Sequence, residues 1–377
     1  MKLPHLIAAA TVCLSVALPS LAEPGITARE ILIGQDIDMT GTISSRMKPL
    51  MQAADAYFDQ VNKRGGINGR TIKIVRLDNA NKPDKTKENV KQLVEKSGVF
   101  AVWGVSGTGN VGAALPYLTE KRVPLIGTTS GAEVYYSKTH PMLINVKASY
   151  ADEIRRLATH FKALGITKVG LIYLDNSFGR EALKSAQSAA AEQKIDVVAV
   201  SAFKEDGSNI DEAVLPIAKA NPQAVFLLTL AGPAPKLVQA YLKTEQKAQF
   251  FALSIVATDV LYKAIGDKAR GIVVTQIVPY PWDASIPIAR DFQELMKSTG
   301  VTDYSMSGME GYVLARALVE GLKTAGKNPT RAGLIAAYES MHDKDLGGMK
   351  LTYSADDHNG SNLVEITMIG REGKLVR

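Results

Sequence analysis

The chain has 377 residues, more than a single core usually holds, so two domains are expected. Its formal net charge is +6, and the basic residues are scattered rather than interleaved with aromatics, which argues against a nucleic-acid partner. The single cysteine excludes an internal disulfide framework and any cluster of cysteine metal ligands.

Residues 1–22 read as a secretory signal. Lys2 supplies the positive start, 6–18 the apolar core and Ser20-Leu21-Ala22 the small-residue cleavage site. That core is too short to span a bilayer as a mature helix, and no later stretch reaches the ~20 apolar residues a span needs. Cys13 leaves with the signal, and loss of Lys2 lowers the formal charge from +6 to +5.

The mature chain opens with a strand over 31–37 that ends in Met39-Thr40-Gly41-Thr42-Ile43-Ser44-Ser45. A helix over 48–63 follows, with Leu50, Ala54, Tyr57, Phe58 and Val61 on one face. Gly65 and Gly66 end it, and a turn leads to a strand over 71–77 and a helix over 85–96. Two short apolar runs, 99–105 and 123–126, are buried strands separated by one helix length, so they run parallel. Each stops at a Ser/Thr/Gly cluster, Ser106-Gly107-Thr108-Gly109 and Gly127-Thr128-Thr129-Ser130-Gly131. Both clusters belong at the rim where open α/β sheets bind ligands. Hydroxyls and backbone N–H groups there suit an anion such as a carboxylate.

A strand over 143–146 closes this series. Ser149, Asp152 and Glu153 then provide capping chemistry for a helix to 164. The β/α pattern restarts at strand 168–174 and continues through strands 197–201, 224–230, 249–253 and 271–276. After the proline-rich stretch Val278-Pro279-Tyr280-Pro281-Trp282 come helices over 288–298, 308–325 and 331–339. A last hairpin pairs 349–353 with 364–369, its turn Asp356-Asp357-His358 facing solvent. The fold class is α/β, two doubly wound parallel-sheet lobes.

Several of these pieces together resemble the type I periplasmic solute-binding proteins, the Leu/Ile/Val-binding branch of ABC-importer receptors. They are Ile31-Leu32-Ile33-Gly34 with Met39-Thr40-Gly41, Asn62-Lys63-Arg64-Gly65-Gly66-Ile67-Asn68-Gly69, the 105–109 loop, 124–131, and Asp175-Asn176-Ser177-Phe178-Gly179. The resemblance covers the mature chain and implies a three-crossing hinge. Lobe 1 would be 23–147 plus 279–352, and lobe 2 would be 148–278 plus 353–377. It implies no enzyme activity, no cofactor and no metal. It also implies a periplasmic location, a small carboxylate or amino acid as ligand, an inner-membrane ABC permease as partner, and a monomer. By the same likeness, Ser106 and Thr108 form one carboxylate-binding loop and Thr129, Ser130 and Gly131 the other. Phe178, Tyr150, Ala231 and Gly232 reach the ligand as well. Ser254 stands where amino-acid binders of this family carry an acid for the ligand's ammonium; Asp175 or Asp259 are the candidates to replace it.

A ligand sensor using the same cleft is a second reading. Two local patterns point to enzymes instead, and each departs from its type. Gly107-Thr108-Gly109-Asn110-Val111-Gly112 has the spacing of an NAD-dependent dehydrogenase, but in the third β/α unit and with no acid after the next strand. Gly104-Val105-Ser106-Gly107-Thr108 nearly makes the elbow of an exported hydrolase, with Thr108 in place of the last glycine.

Overall fold

The computed structural model describes residues 23–377; the signal-like 1–22, with Cys13, lies outside them. Two sheets organise the chain. The first has the order β2-β1-β3-β4-β5, all parallel, from β1 (Glu30–Ile37), β2 (Thr71–Asp78), β3 (Ala101–Trp103), β4 (Leu125–Ile126) and β5 (Leu143–Ile144). Its strands β3, β4 and β5 are buried and apolar on both faces because helices cover both. They are α1 (Ser44–Lys63), α2 (Pro83–Lys91), α3 (Thr108–Glu120) and, from much later in the chain, α9 (Pro287–Ser298), α10 (Met306–Thr324) and α11 (Arg331–Glu339). α1 starts earlier than its apolar spacing suggests because Ile43, Arg46 and Met47 are buried as well.

The glycine-rich turn after α1 has a specific job. The Asn62 side chain donates to the Ile72 carbonyl at 2.9 Å and accepts from the Ile72 N–H at 2.8 Å, which fixes the start of β2. Gly66 has φ +69°, and a Cβ there would run into the Arg70 backbone. The turn therefore needs glycine.

The second sheet contains β6 (Lys168–Leu174), β7 (Asp196–Phe203), β8 (Ala224–Leu228), β9 (Gln249–Ala252) and β10 (Val273–Gln276), all parallel, in the order β10-β9-β8-β6-β7. β13 (Glu365–Ile369) and β14 (Leu375–Val376) extend it antiparallel beyond β10. Its helices are α4 (Tyr150–Ala163), α5 (Ser177–Glu192), α6 (Ile210–Lys219), α7 (Ala234–Leu242) and α8 (Thr258–Ile265). The chain passes between lobes three times: after β5, after β10 and before β13.

The expected hairpin of 349–353 with 364–369 does not form. β12 (Lys350–Leu351) pairs instead with β11 (Lys344–Asp345), and β13 joins β10. In the intervening turn Asp356 and Asp357 are exposed as expected, but the third residue is not. His358 is buried, its Nδ1 2.9 Å from the Leu143 carbonyl oxygen and its Nε2 3.1 Å from Glu339. Past Thr352, where the sequence placed the third crossing, the chain stays with the first sheet as far as Gly360. The Asn145 N–H donates to the His358 carbonyl and the Gly360 N–H donates to the Asn145 carbonyl, both at 2.9 Å.

Candidate functional site

In each sheet the strand order reverses once, between β1 and β3 in the first and between β6 and β8 in the second. Crevices at the C-terminal ends of strands on either side of such a reversal are where open α/β sheets take ligands. Here the two crevices face each other. A small cavity of about 80 Å³ lies between them, with Asn81, Thr108 and Asn110 on one side and Phe178, Leu230 and Ile255 on the other. A wider hollow, about 530 Å³ near Trp282, lies away from these strand ends.

The loops after β3 and β4 meet: the Thr108 and Ser130 hydroxyls are 3.0 Å apart. Ser106 is turned inward. Its Oγ accepts from the Asp38 N–H at 2.7 Å and so ties the β3 loop to the end of β1. Thr129 anchors through its backbone, donating to the Val105 carbonyl at 3.1 Å, and its hydroxyl has no hydrogen-bond partner among the described residues. Gly131 accepts from the Tyr150 N–H at 2.6 Å, and a Cβ there would sit 2.9 Å from the Tyr150 ring.

Across the cleft, Phe178 lies in the first turn of α5. Asn176 caps that helix by accepting from the Gly179 N–H at 3.0 Å, and Gly179 has no room for a side chain against the Leu174 carbonyl. The Phe178 and Tyr150 rings, both from the second lobe, meet edge to face at 5.1 Å, and it is Tyr150, through Gly131, that reaches the first. Ala231 is buried. Gly232 lies at the cleft rim, where a Cβ would stand 2.7 Å from the Thr42 carbonyl oxygen of the opposite lobe. The structure thus brings Thr108, Thr129, Ser130, Gly131, Tyr150 and Phe178 together; Ser106 stands one layer behind.

Ser254 leads to a residue with a role the sequence did not suggest. Its N–H and hydroxyl both donate to Glu153, at 2.8 and 3.0 Å, and the Thr275 hydroxyl donates to the same carboxylate. Glu153 is fully buried, whereas it reads as part of a cap; the cap is Asp152, which exchanges hydrogen bonds with Ser149 at 2.9 and 3.0 Å. The signal was available: Glu153 stands one turn after Tyr150 and one before Leu157, on the apolar face of α4. Neither proposed substitute acid is used in this way. Asp175 pairs with Arg180 at 2.6 Å, and Asp259 lies in the first turn of α8.

Three more buried charges lie around the neighbouring Tyr150. Lys147, just after β5, is 1% exposed, and its Nζ is 5.4 Å from the Tyr150 ring centre. Arg46 and Glu310 form a buried ion pair, with Arg46 Nε and Nη1 and Glu310 Oε1 lacking partners among the described residues. Burial pushes the Glu153 carboxyl above its ordinary range, against the pull of Lys147. Burial likewise pushes the Lys147 ammonium down, against the opposing pull of Glu310 and Glu153.

Leu/Ile/Val-binding protein homolog 8 of Brucella suis is 24% identical to this chain over 398 residues, covering 100% of this chain and 96% of that one. A substrate-binding periplasmic protein from Ralstonia solanacearum superposes with a TM-score of 0.86 at 30% identity, covering 92% of this chain and 99% of the other. A possible leucine/isoleucine/valine-binding protein from Rhodopirellula baltica does so with 0.87 at 25% identity, covering 93% and 97%. The periplasmic binding protein family matches residues 30–374. Two sheets with opposed crevices, three crossings and this match over nearly the whole length make the chain a member of the periplasmic binding protein family.

Proposed function

We propose that this protein is the exported solute receptor of an ABC importer, capturing a small carboxylate or amino-acid-like ligand between its lobes and presenting it to an inner-membrane permease. In this reading residues 1–22 direct it to the periplasm, where it acts as a monomer. The observation that carries the proposal is the meeting of two hydroxyl-bearing loops at neighbouring strand ends, Thr108 against Ser130 at 3.0 Å, opposite Phe178. Thr108, Thr129, Ser130 and the backbone at Gly131 hold the carboxylate, and Ser106 fixes the first loop. Tyr150 and Phe178 wall the apolar part of the ligand, and Ala231, Gly232 and Ser254 bring up the second lobe. The names of the Brucella suis and Rhodopirellula baltica relatives support a ligand of this size and kind.

The energetics are sufficient. Each hydrogen bond to a charged group contributes about 1.5–3 kcal/mol. Two or three of them plus buried apolar surface reach the ~8 kcal/mol of micromolar binding. The ligand favours the closed lobes only by its preference for that arrangement.

A thermal-shift screen of amino acids, aliphatic acids, aromatic acids and sugars tests the reading, with Thr129→Ala as the control. The Thr129 hydroxyl has no protein partner among the described residues, so its removal should leave the fold intact while weakening ligand stabilisation. Hits confined to sugars, or full binding by Thr129→Ala, would remove the hydroxyl loops from the site.

A further inference from the structure

We infer that Lys147 is an anion-binding residue of the cleft and that the cleft selects carboxylates lacking an α-ammonium group; this rests on the reading just given. Three adjacent parallel strands end at one rim. β3 delivers Ser106 and Thr108, β4 delivers Thr129 and Ser130, and β5 delivers Lys147. The rim therefore offers neutral donors at two strand ends and a cation at the third.

Lys147 is 1% exposed, yet among the described residues its ammonium makes no hydrogen bond and no ion pair within 4.0 Å. Burying a cation without a close partner is costly, and the two acids that pull on it, Glu310 and Glu153, make no ion pair with it within 4.0 Å. Its flank is the Tyr150 ring, which also packs on Gly131 and Phe178. The Tyr150 ring thus touches both the 129–131 loop and the cation.

An amino acid fits the same place poorly. Its ammonium would meet a positive charge. Of the two acids near Lys147, Glu310 is paired with Arg46, and Glu153 already accepts three hydrogen bonds, from the Ser254 N–H, the Ser254 hydroxyl and the Thr275 hydroxyl. A carboxylate offers about four acceptor positions, so little remains for a ligand. Removing the ammonium from the ligand removes both problems and leaves the pairing with Lys147.

Calorimetry on matched pairs tests this: isocaproate against leucine, and hydrocinnamate against phenylalanine, on the unchanged protein, K147R and K147M. The unchanged protein should bind the desamino acid of a pair at least about tenfold more tightly. K147M should lose about tenfold or more of that affinity and narrow the gap, while K147R retains it. Tighter or equal binding of the amino acid overturns the inference and leaves the receptor reading standing, as does full acid affinity in a folded K147M. Binding of neither series overturns both. Should K147M fail to fold, the ratio on the unchanged protein and on K147R decides.

Discussion

Gly232 offers a way to burden one arrangement of the lobes and not the other. A Cβ at this position would lie 2.7 Å from the Thr42 carbonyl oxygen, where ordinary contact begins at 3.4 Å. Gly232→Ala therefore requires the rim to open by roughly 0.7 Å, the difference between those two distances. Gly232 is not among the residues with positive φ, so alanine brings no local backbone strain. The cost falls only where the two rims touch. Overpacking of this kind costs about 1–3 kcal/mol. Borne by the closed form alone, it weakens ligand binding by about 5- to 150-fold. Titration calorimetry with the strongest hit of the screen measures the loss, and thermal unfolding without ligand should be unchanged. Unaltered affinity, or a lower melting temperature in the ligand-free protein, would refute the idea that this contact belongs to closure.

Two further expectations concern stability. Glu310→Gln strands the Arg46 guanidinium, and since the two side chains are only 2% and 3% exposed, solvent cannot compensate. Urea unfolding should register a loss of about 3–5 kcal/mol, whereas Arg46→Met with Glu310→Leu should recover most of it; a single variant as stable as the parent would contradict this. Asp345 accepts from the N–H groups of Gly348 and Gly347, each at 2.7 Å, and these bonds hold its carboxyl below the ordinary 3.8. A carboxylate with a depressed pKa stabilises the fold above its unfolded value and loses that contribution as the pH falls through the folded one. Asp345→Ala should therefore cost stability near neutrality and progressively less in acid, and a pH-independent difference would rule this out.

Much of the architecture is legible in the residue order because parallel strands covered on both faces leave a plain signature. Runs such as 99–105 and 123–126 are continuously apolar, and each must be followed by a polar loop at the same rim. The meeting of Thr108 with Ser130 follows from that rule alone. The 62–69 stretch is equally informative, since both its asparagine clamp and its glycine turn are local. What escapes is set by contacts distant in sequence. Glu153 looks like capping chemistry until Ser254 and Thr275, over a hundred residues on, are seen to enclose it. Lys147 looks like a linker residue until β5 is placed beside β4. His358 sits in a run of turn formers, and only its partners at Leu143 and Glu339 make it a buried residue. The false hairpin has the same origin: alternation marks 364–369 as a strand but does not say which edge it joins.

The covering of the first sheet by α10 bears on how the chain comes off the ribosome. Trp103 donates its indole N–H to the Leu314 carbonyl at 3.3 Å, and Gly311 lets α10 lie directly on the Leu50 backbone of α1. The second sheet in turn lacks β13 until the last dozen or so residues have been made. The first sheet therefore stays uncovered on the α10 side until residue 324 has been made, and β10 stays an unpaired edge until β13 follows, so the pairings that complete both sheets are among the most distant in sequence.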